Sequence, residues 1–256
     1  MKKHSILLFA ILTIAASVSA QKVYKLARTS GHLNLNIAGA IIEGYSGNEV
    51  IFSVPKAETE VVDERAKGLR VINGSGFTDN TGLGLDVSEK GEEITVNTVT
   101  KDRADILTIR VPYNIKVSFT NTSNLNYAEV ILKNLKNEIE VSTNYNKIKL
   151  ENNTGPMNIK TLYGSVDAAF SSDIKGPVSI VSVYGYVDVS LPGAAKANVE
   201  LSTRYGKLYA AEVLKVVVDK STGLNPDANT IKGKVNGGGA DLILKSSYEN
   251  VYLREK

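Results

Sequence analysis

The chain has 256 residues, a formal net charge of +3, 43% hydrophobic residues and no cysteine. Lys and Arg are spread without a block, which excludes the clustered basic surface that nucleic-acid phosphates demand. Disulfides and cysteine-linked lipid are excluded, and His32 is the sole histidine after Ala20, which leaves no His/Cys cluster for zinc.

The first element is an export signal. Lys2 and Lys3 precede an apolar run from Ile6 to Val18, and Val18 and Ala20 occupy the positions a signal peptidase reads. The run is shorter than the ~20 apolar residues a spanning helix needs. Cleavage is expected between Ala20 and Gln21. No later segment is apolar enough over that length to span a membrane. The mature chain is therefore expected in the periplasm, on the outer surface or in the medium. With no cysteine after the signal, it is not expected to be a lipoprotein.

The mature part reads as strands. His32–Ile37 and Glu49–Val54 alternate with period two, as half-buried strands do. Pro55–Lys90 is polar, with Asn-Gly-Ser-Gly at 73–76. Strand pattern resumes at Glu93–Val96 and Leu107–Val111, and Pro112 marks a strand end. Asn121–Leu132 looks like a worn repeat centred on Tyr127, 18 residues before Tyr145.

Five segments then align on Tyr145, Tyr163, Tyr184, Tyr205 and Tyr248, with spacings of 18, 21, 21 and 43. The last spacing predicts a degenerate copy between Ala210 and Gly239. Four positions before the tyrosine stand Val141, Ile159, Ile180, Leu201 and Leu244. Two before stand Thr143, Thr161, Ser182, Thr203 and Ser246. Three after stand Ile148, Val166, Val187, Leu208 and Val251. Positions −6, −4, −2 and 0 share one strand face, and +3 and +5 share a face of the next strand. A two-residue corner is expected between them. It opens with Gly164, Gly185, Gly206 or Asn146, residue types that tolerate left-handed angles. Glu249 departs from this.

The expected fold is all-β, a parallel β-solenoid in which each 18–21-residue unit is one rung and like stacks on like. An antiparallel meander or sandwich, with Gly-X as hairpin loops, is the alternative. Residues 21–256 read as one elongated domain, irregular to about 120 and regular from about 121 onward.

The segment Ile106–Phe119, the short strands with Tyr-Gly or Tyr-Asn corners, and Gly237–Arg254 together resemble the bacterial family of adhesin-like domains with β-strand repeats. Ile37–Val54 looks like that family's opening strand pair, and Pro55–Lys90 departs from its pattern as an insert. The resemblance spans roughly Leu33–Arg254. It implies adhesion or surface binding, with no ligand and no catalytic residues to carry over.

Candidate chemistry is sparse. A Ser-His-Asp site would have to use His32, and no Gly-x-Ser-x-Gly elbow accompanies it. Gly237–Gly239 lacks the helix and Gly-Lys-Ser/Thr of a phosphate loop. The outward column at +4 holds Lys149, Asp167, Asp188 and Tyr209. Asp167 and Asp188 would stack as a carboxylate pair that raises its own pKa or invites a cation such as Ca²⁺, the core of a glycan-cleaving site, or form a solvated face with Lys149 partly neutralising Asp167. The tyrosines are expected to pack the corner with ring inward and hydroxyl toward water, the alternative being a stack that binds sugar rings edge-on. By parity, Leu162, Val181, Val183 and Tyr186 point outward as an apolar patch for a partner chain or a second copy.

The expected function is a non-enzymatic, adhesin-like or cell-envelope binding protein. Its partners would be a glycan, a matrix component or an envelope protein, with self-association as a further use. No catalytic residue, metal or cofactor is assigned. A polysaccharide lyase or hydrolase on the same scaffold, and an envelope scaffold with protein partners only, are the alternatives.

Overall fold

The computed structural model describes residues 21–55, 64–100, 107–171, 174–219 and 229–256. The expected signal peptide and residues 56–63 of the insert-like segment lie outside them. Among the described residues the only helical elements are the 3-10 turns Glu64–Ala66 and Glu212–Leu214.

Everything else regular is strand. The N-terminal part gives β1 (Gln21–Leu26), β2 (Gly31–Asn36), β3 (Ala40–Tyr45), β4 (Val50–Pro55), β5 (Leu85–Lys90), β6 (Glu93–Thr98) and β7 (Thr108–Pro112). The middle gives β8 (Ile115–Asn121), β9 (Val130–Lys133), β10 (Ile139–Thr143), β11 (Ile148–Glu151), β12 (Met157–Thr161), β13 (Val166–Ala169), β14 (Val178–Ser182) and β15 (Val187–Leu191). The C-terminal part gives β16 (Ala197–Thr203), β17 (Leu208–Ala210), β18 (Val217–Val218), β19 (Asn229–Val235), β20 (Ala240–Ser246) and β21 (Val251–Glu255).

The chain is all-β, built as two large mixed sheets. The ten-stranded sheet runs β1-β4-β7-β3-β9-β11-β13-β15-β21-β17, and the eleven-stranded sheet runs β18-β19-β16-β20-β14-β12-β10-β8-β2-β6-β5. Each tyrosine repeat gives one strand to each sheet. Central neighbours pair in parallel, with like columns opposite. Ile139 pairs with Met157, Met157 with Val178, Val178 with Leu242 and Leu242 with Val199. On the other sheet Ile148, Val166, Val187, Val251 and Leu208 follow in the same way. The column residues at −6, −4 and −2 are all buried. Each fully buried Val, Ile or Leu contributes about 1.5–3 kcal/mol over its exposed state. The core lies between the sheets as one cluster from Leu33 to Leu253.

Several sequence expectations are corrected. Chain order is not stacking order: the last repeat, β20 and β21, lies between β14/β15 and β16/β17. At the other end β6 and β7 lie outside β2 and β3. The expected opening pair, β3 and β4, is not a pair, because β7 sits between them, parallel to β3 and antiparallel to β4. Of the region expected to hold a degenerate copy, residues 220–228 lie outside the described residues, and the described part contains β18 and β19, which pair antiparallel at the end of the eleven-stranded sheet. These antiparallel ends are what make both sheets mixed.

The two ends differ in chemistry. At the N-terminal end, edge strands β1 and β5 carry Lys22, Lys25, Glu89 and Lys90, the charged residues that discourage edge-to-edge pairing. At the C-terminal end, β18 consists of Val217 and Val218, 72% and 44% exposed.

Candidate functional site

The corners between the sheets carry the most distinctive chemistry. Strands on the eleven-stranded sheet stop at position −2, so the tyrosine falls in the bend beyond. The expected continuation of strand parity to the tyrosine therefore fails. The hydroxyl at −2 turns inward, and at Ser182, Ser246 and Thr203 it ties rung to rung. Ser182 Oγ accepts from Gly185 N–H at 2.9 Å and donates to the Gly164 carbonyl of the next rung at 2.8 Å. Ser246 Oγ accepts from Glu249 N–H at 3.0 Å and donates to Gly185 O at 2.8 Å. Thr203 repeats this with Gly206 N–H and Glu249 O, both at 3.0 Å. The relay uses only the backbone of Glu249, so a glutamate is compatible with it there.

Gly164, Gly185 and Gly206 do not have positive φ, nor does Asn146, which corrects the expected left-handed corner. Their lack of a Cβ matters for another reason. A Cβ would lie 1.9 Å from Asn146 O at Gly164, 2.1 Å from Gly164 O at Gly185, and 2.1 Å from Glu249 O at Gly206. Each carbonyl points at the next α-carbon.

With the corner fixed, the tyrosines project outward and stack on one another. Centroid separations along Tyr127, Tyr145, Tyr163, Tyr184, Tyr248 and Tyr205 are 5.3, 4.7, 4.9, 4.6 and 4.9 Å. Tyr184 is 43% and Tyr205 61% exposed, so the rings are not turned inward as expected. Ring faces are covered by neighbouring rings, and the edges and hydroxyls form a ridge. Each stacked pair contributes about 0.5–1.5 kcal/mol.

The predicted apolar residues all face outward and are half-buried. Leu162 and Val183 share the column beside the ridge. Val181 lies on the eleven-stranded sheet between Lys160 and Lys245, while Tyr186 lies across the corner. Tyr186 donates its hydroxyl to Asp167 at 3.3 Å. Its phenol is pushed up, first by burial and then by the Asp167 charge.

Asp167 and Asp188 are register neighbours, as the columns indicate, and Tyr252 stands between Asp188 and Tyr209. Each carboxylate has its own cation. Lys147 Nζ is 2.9 Å from Asp167, and Arg254 Nε is 2.7 Å from Asp188. Lys149, expected to neutralise Asp167, pairs with Glu151 at 2.7 Å. The hydrogen bond and charge of Asp167 hold the Lys147 ammonium above its ordinary range. Asp167, Asp188, Lys149, Glu151 and Arg254, but not Lys147, line a hollow of about 500 Å³ together with Ala169 and Ser190.

His32 has partners that the sequence conceals. Its Nε2 is 2.7 Å from Ser118 Oγ, and its Nδ1 is 3.3 Å from Glu93. Those residues are 86 and 61 positions away, so only strand register unites them. The order of groups is that of a nucleophile, a base and an orienting acid. Yet β8 pairs on both sides, with β2 and β10, so its backbone donors serve the sheet and offer no oxyanion hole. Ser118 also contacts Glu140 at 3.4 Å. The arrangement serves as a polar cross-strand network.

These features define an all-β protein of stacked strand pairs with an exposed aromatic ridge. The chain belongs to the Toastrack DUF4097 family, whose model matches residues 25–233. It is similar to a putative cell adhesion protein from Clostridium sporogenes, with 13% identity and a TM-score of 0.46, over 93% of this chain and 99% of that one. It is also similar to a putative adhesin from Bacteroides fragilis, with 12% identity and a TM-score of 0.41, over 93% and 97% of the two chains. No curated protein matches it in sequence.

Proposed function

We propose that the chain is an exported, non-enzymatic, adhesin-like binding protein of the cell envelope. On this reading it is a single solenoid-type domain that presents its tyrosine ridge to a glycan, matrix component or envelope protein. The observation that carries the reading is the ridge itself. A continuous row of half-exposed aromatics is more apolar surface than a lone monomer needs to show. Tyrosine gives large contact area at low entropic cost, and stacking holds these rings in place before any ligand arrives. A binding role is further supported by the carboxylates, each tied to a cation and so unsuited to acid–base work.

The test is a screen against glycans and matrix proteins, followed by the double variant Tyr163→Ser with Tyr184→Ser. Binding should fall at least tenfold. Loss of three stacked contacts should cost about 2–4 kcal/mol, and folding at the assay temperature is checked by circular dichroism. A folded variant that binds like the parent would show that the ridge is not the binding surface.

One observation favours a scaffold with protein partners as the second reading. Val213, Val217 and Val218, 53%, 72% and 44% exposed, gather near the unguarded end of the stack. On that reading the parent elutes larger than a monomer, and Val217→Lys returns it to monomer size. A parent that already elutes as a monomer sinks self-association through this end.

A further inference from the structure

The N-terminal end of the tyrosine ridge adjoins a hollow unlike the charged one. It measures about 630 Å³ and its lining includes Asn36, Thr98, Thr120, Thr122, Ser123 and Asn126, with no ionisable side chain. Charged residues make up 22% of the sequence, and the hollow at Asp167 and Asp188 is lined by six of them, so a charge-free lining is a local departure. Leu125 also lines it and is 91% exposed.

The loop that forms one wall is built to stay in place. Asn121 is buried, and its Nδ2 donates to Ala38 O, Asn126 O and Asn146 Oδ1 at 3.3, 3.0 and 3.1 Å. Its Oδ1 accepts from Ser123 N–H at 3.0 Å. Ser123 Oγ accepts from the N–H groups of Leu125 and Asn126 at 3.3 and 2.9 Å. These bonds satisfy the backbone and organising groups. They leave the hydroxyls of Thr98, Thr120 and Thr122 and the Asn126 amide without a side-chain partner among the described residues. Next to Asn126 stands Tyr127, the last ring of the ladder, which stacks on Tyr145 on one side only.

We propose that this hollow binds a neutral glycan. A sugar ring presents hydroxyls at its rim and C–H groups on its faces. The free hydroxyls and amide match the first, and the exposed Leu125, with Ile37 and Ala38 beside it in the lining, matches the second. An anionic or cationic ligand would find no counter-charge in the lining, and burying an unpaired charge there is costly. A preformed wall lowers the ordering cost that weakens small polar sites. The inference rests on the binding role proposed above and gives it a ligand class and a subsite.

The experiment presents the protein to an array of neutral and acidic oligosaccharides, then titrates the strongest neutral binder by calorimetry. Thr120→Val with Thr122→Val keeps β-branched shape at exposed positions and should weaken that binding at least tenfold. Asn126→Ala is the independent second variant and should weaken it likewise. Affinity for the neutral ligand should stay within about twofold between ~0.05 and ~0.5 M salt, because screening acts only on charges. If neutral glycans bind the threonine and asparagine variants as well as the parent but not the ridge variant, the hollow is overturned and the ridge reading stands. If only acidic glycans or proteins bind, the ligand class is overturned alone. If nothing on the array or in the matrix-protein screen binds, both readings fall.

Discussion

Gly185→Ala should destabilise the protein by about 3 kcal/mol or more, at the upper end of what overpacking costs. The new methyl would start 2.1 Å from the Gly164 carbonyl oxygen. That oxygen cannot retreat freely, because it accepts from Ser182 Oγ at 2.8 Å. The rungs cannot part freely either, since Tyr184 N–H donates to Leu162 O at 2.8 Å. Thermal unfolding should show the melting point falling by about 6–12 °C, at about 2–4 °C per kcal/mol for a chain of this size. Gly91→Ala is the control. Gly91 has φ +63 with nothing within 4 Å of an added Cβ, so an alanine there would carry backbone strain without a clash. It should cost only about 1–2 kcal/mol. Equal effects at the two sites would mean that carbonyl-on-α-carbon stacking does not select glycine at the corners.

Two substitutions in the hydroxyl column should have opposite signs. Ser182→Ala strips the partner from Gly185 N–H and from Gly164 O, both supplied by one buried hydroxyl. At about 1–3 kcal/mol for each group left unsatisfied, the loss should be about 3 kcal/mol. Thr143 occupies the same column, but its Oγ1 is buried without a partner. The reason is Asn146. Its amide enters the core and donates to Ala38 O and Ala128 O at 2.6 and 2.7 Å, taking the role the hydroxyl plays elsewhere. Thr143→Val keeps the shape and removes the orphan, so stability should rise by up to about 1 kcal/mol. Urea unfolding of both variants decides the matter. A loss of stability in both would refute the assignment of the relay.

The columns were legible because stacking rewards likeness. Val141, Ile159, Ile180, Leu201 and Leu244 share chemistry since each packs against another of the set. Likeness does not reveal adjacency, however. Nothing in the composition of Leu244 says that it lies between Ile180 and Leu201, and so the placement of the last repeat was hidden. The corner glycines suggest backbone freedom, whereas their actual constraint is a carbonyl from another rung, which no local pattern reports. The direction of the tyrosines is hidden because strand parity does not extend to them: each lies two positions past its strand end. His32 and Ser118 were out of reach for the reason that hid the rung order, because only register joins them. The charge-free hollow combines β2, β6, β8 and the loop after β8, and no single stretch of chain displays it.

The inward placement of β20 and β21 has a consequence for how this architecture grows. A simple repeat array can lengthen by duplicating its final unit, because the new copy docks on an open end. Here the last tyrosine unit in chain order is an interior plank, held on one side by β14 and β15 and on the other by β16 and β17. A tandem copy appended after it would find its docking sites already taken. Synthesis meets the same arrangement in time: β16 and β17 emerge before the strands that join them to the stack. Residues 240–255 therefore act as a keystone, and their loss would open a gap inside the wall rather than shorten it.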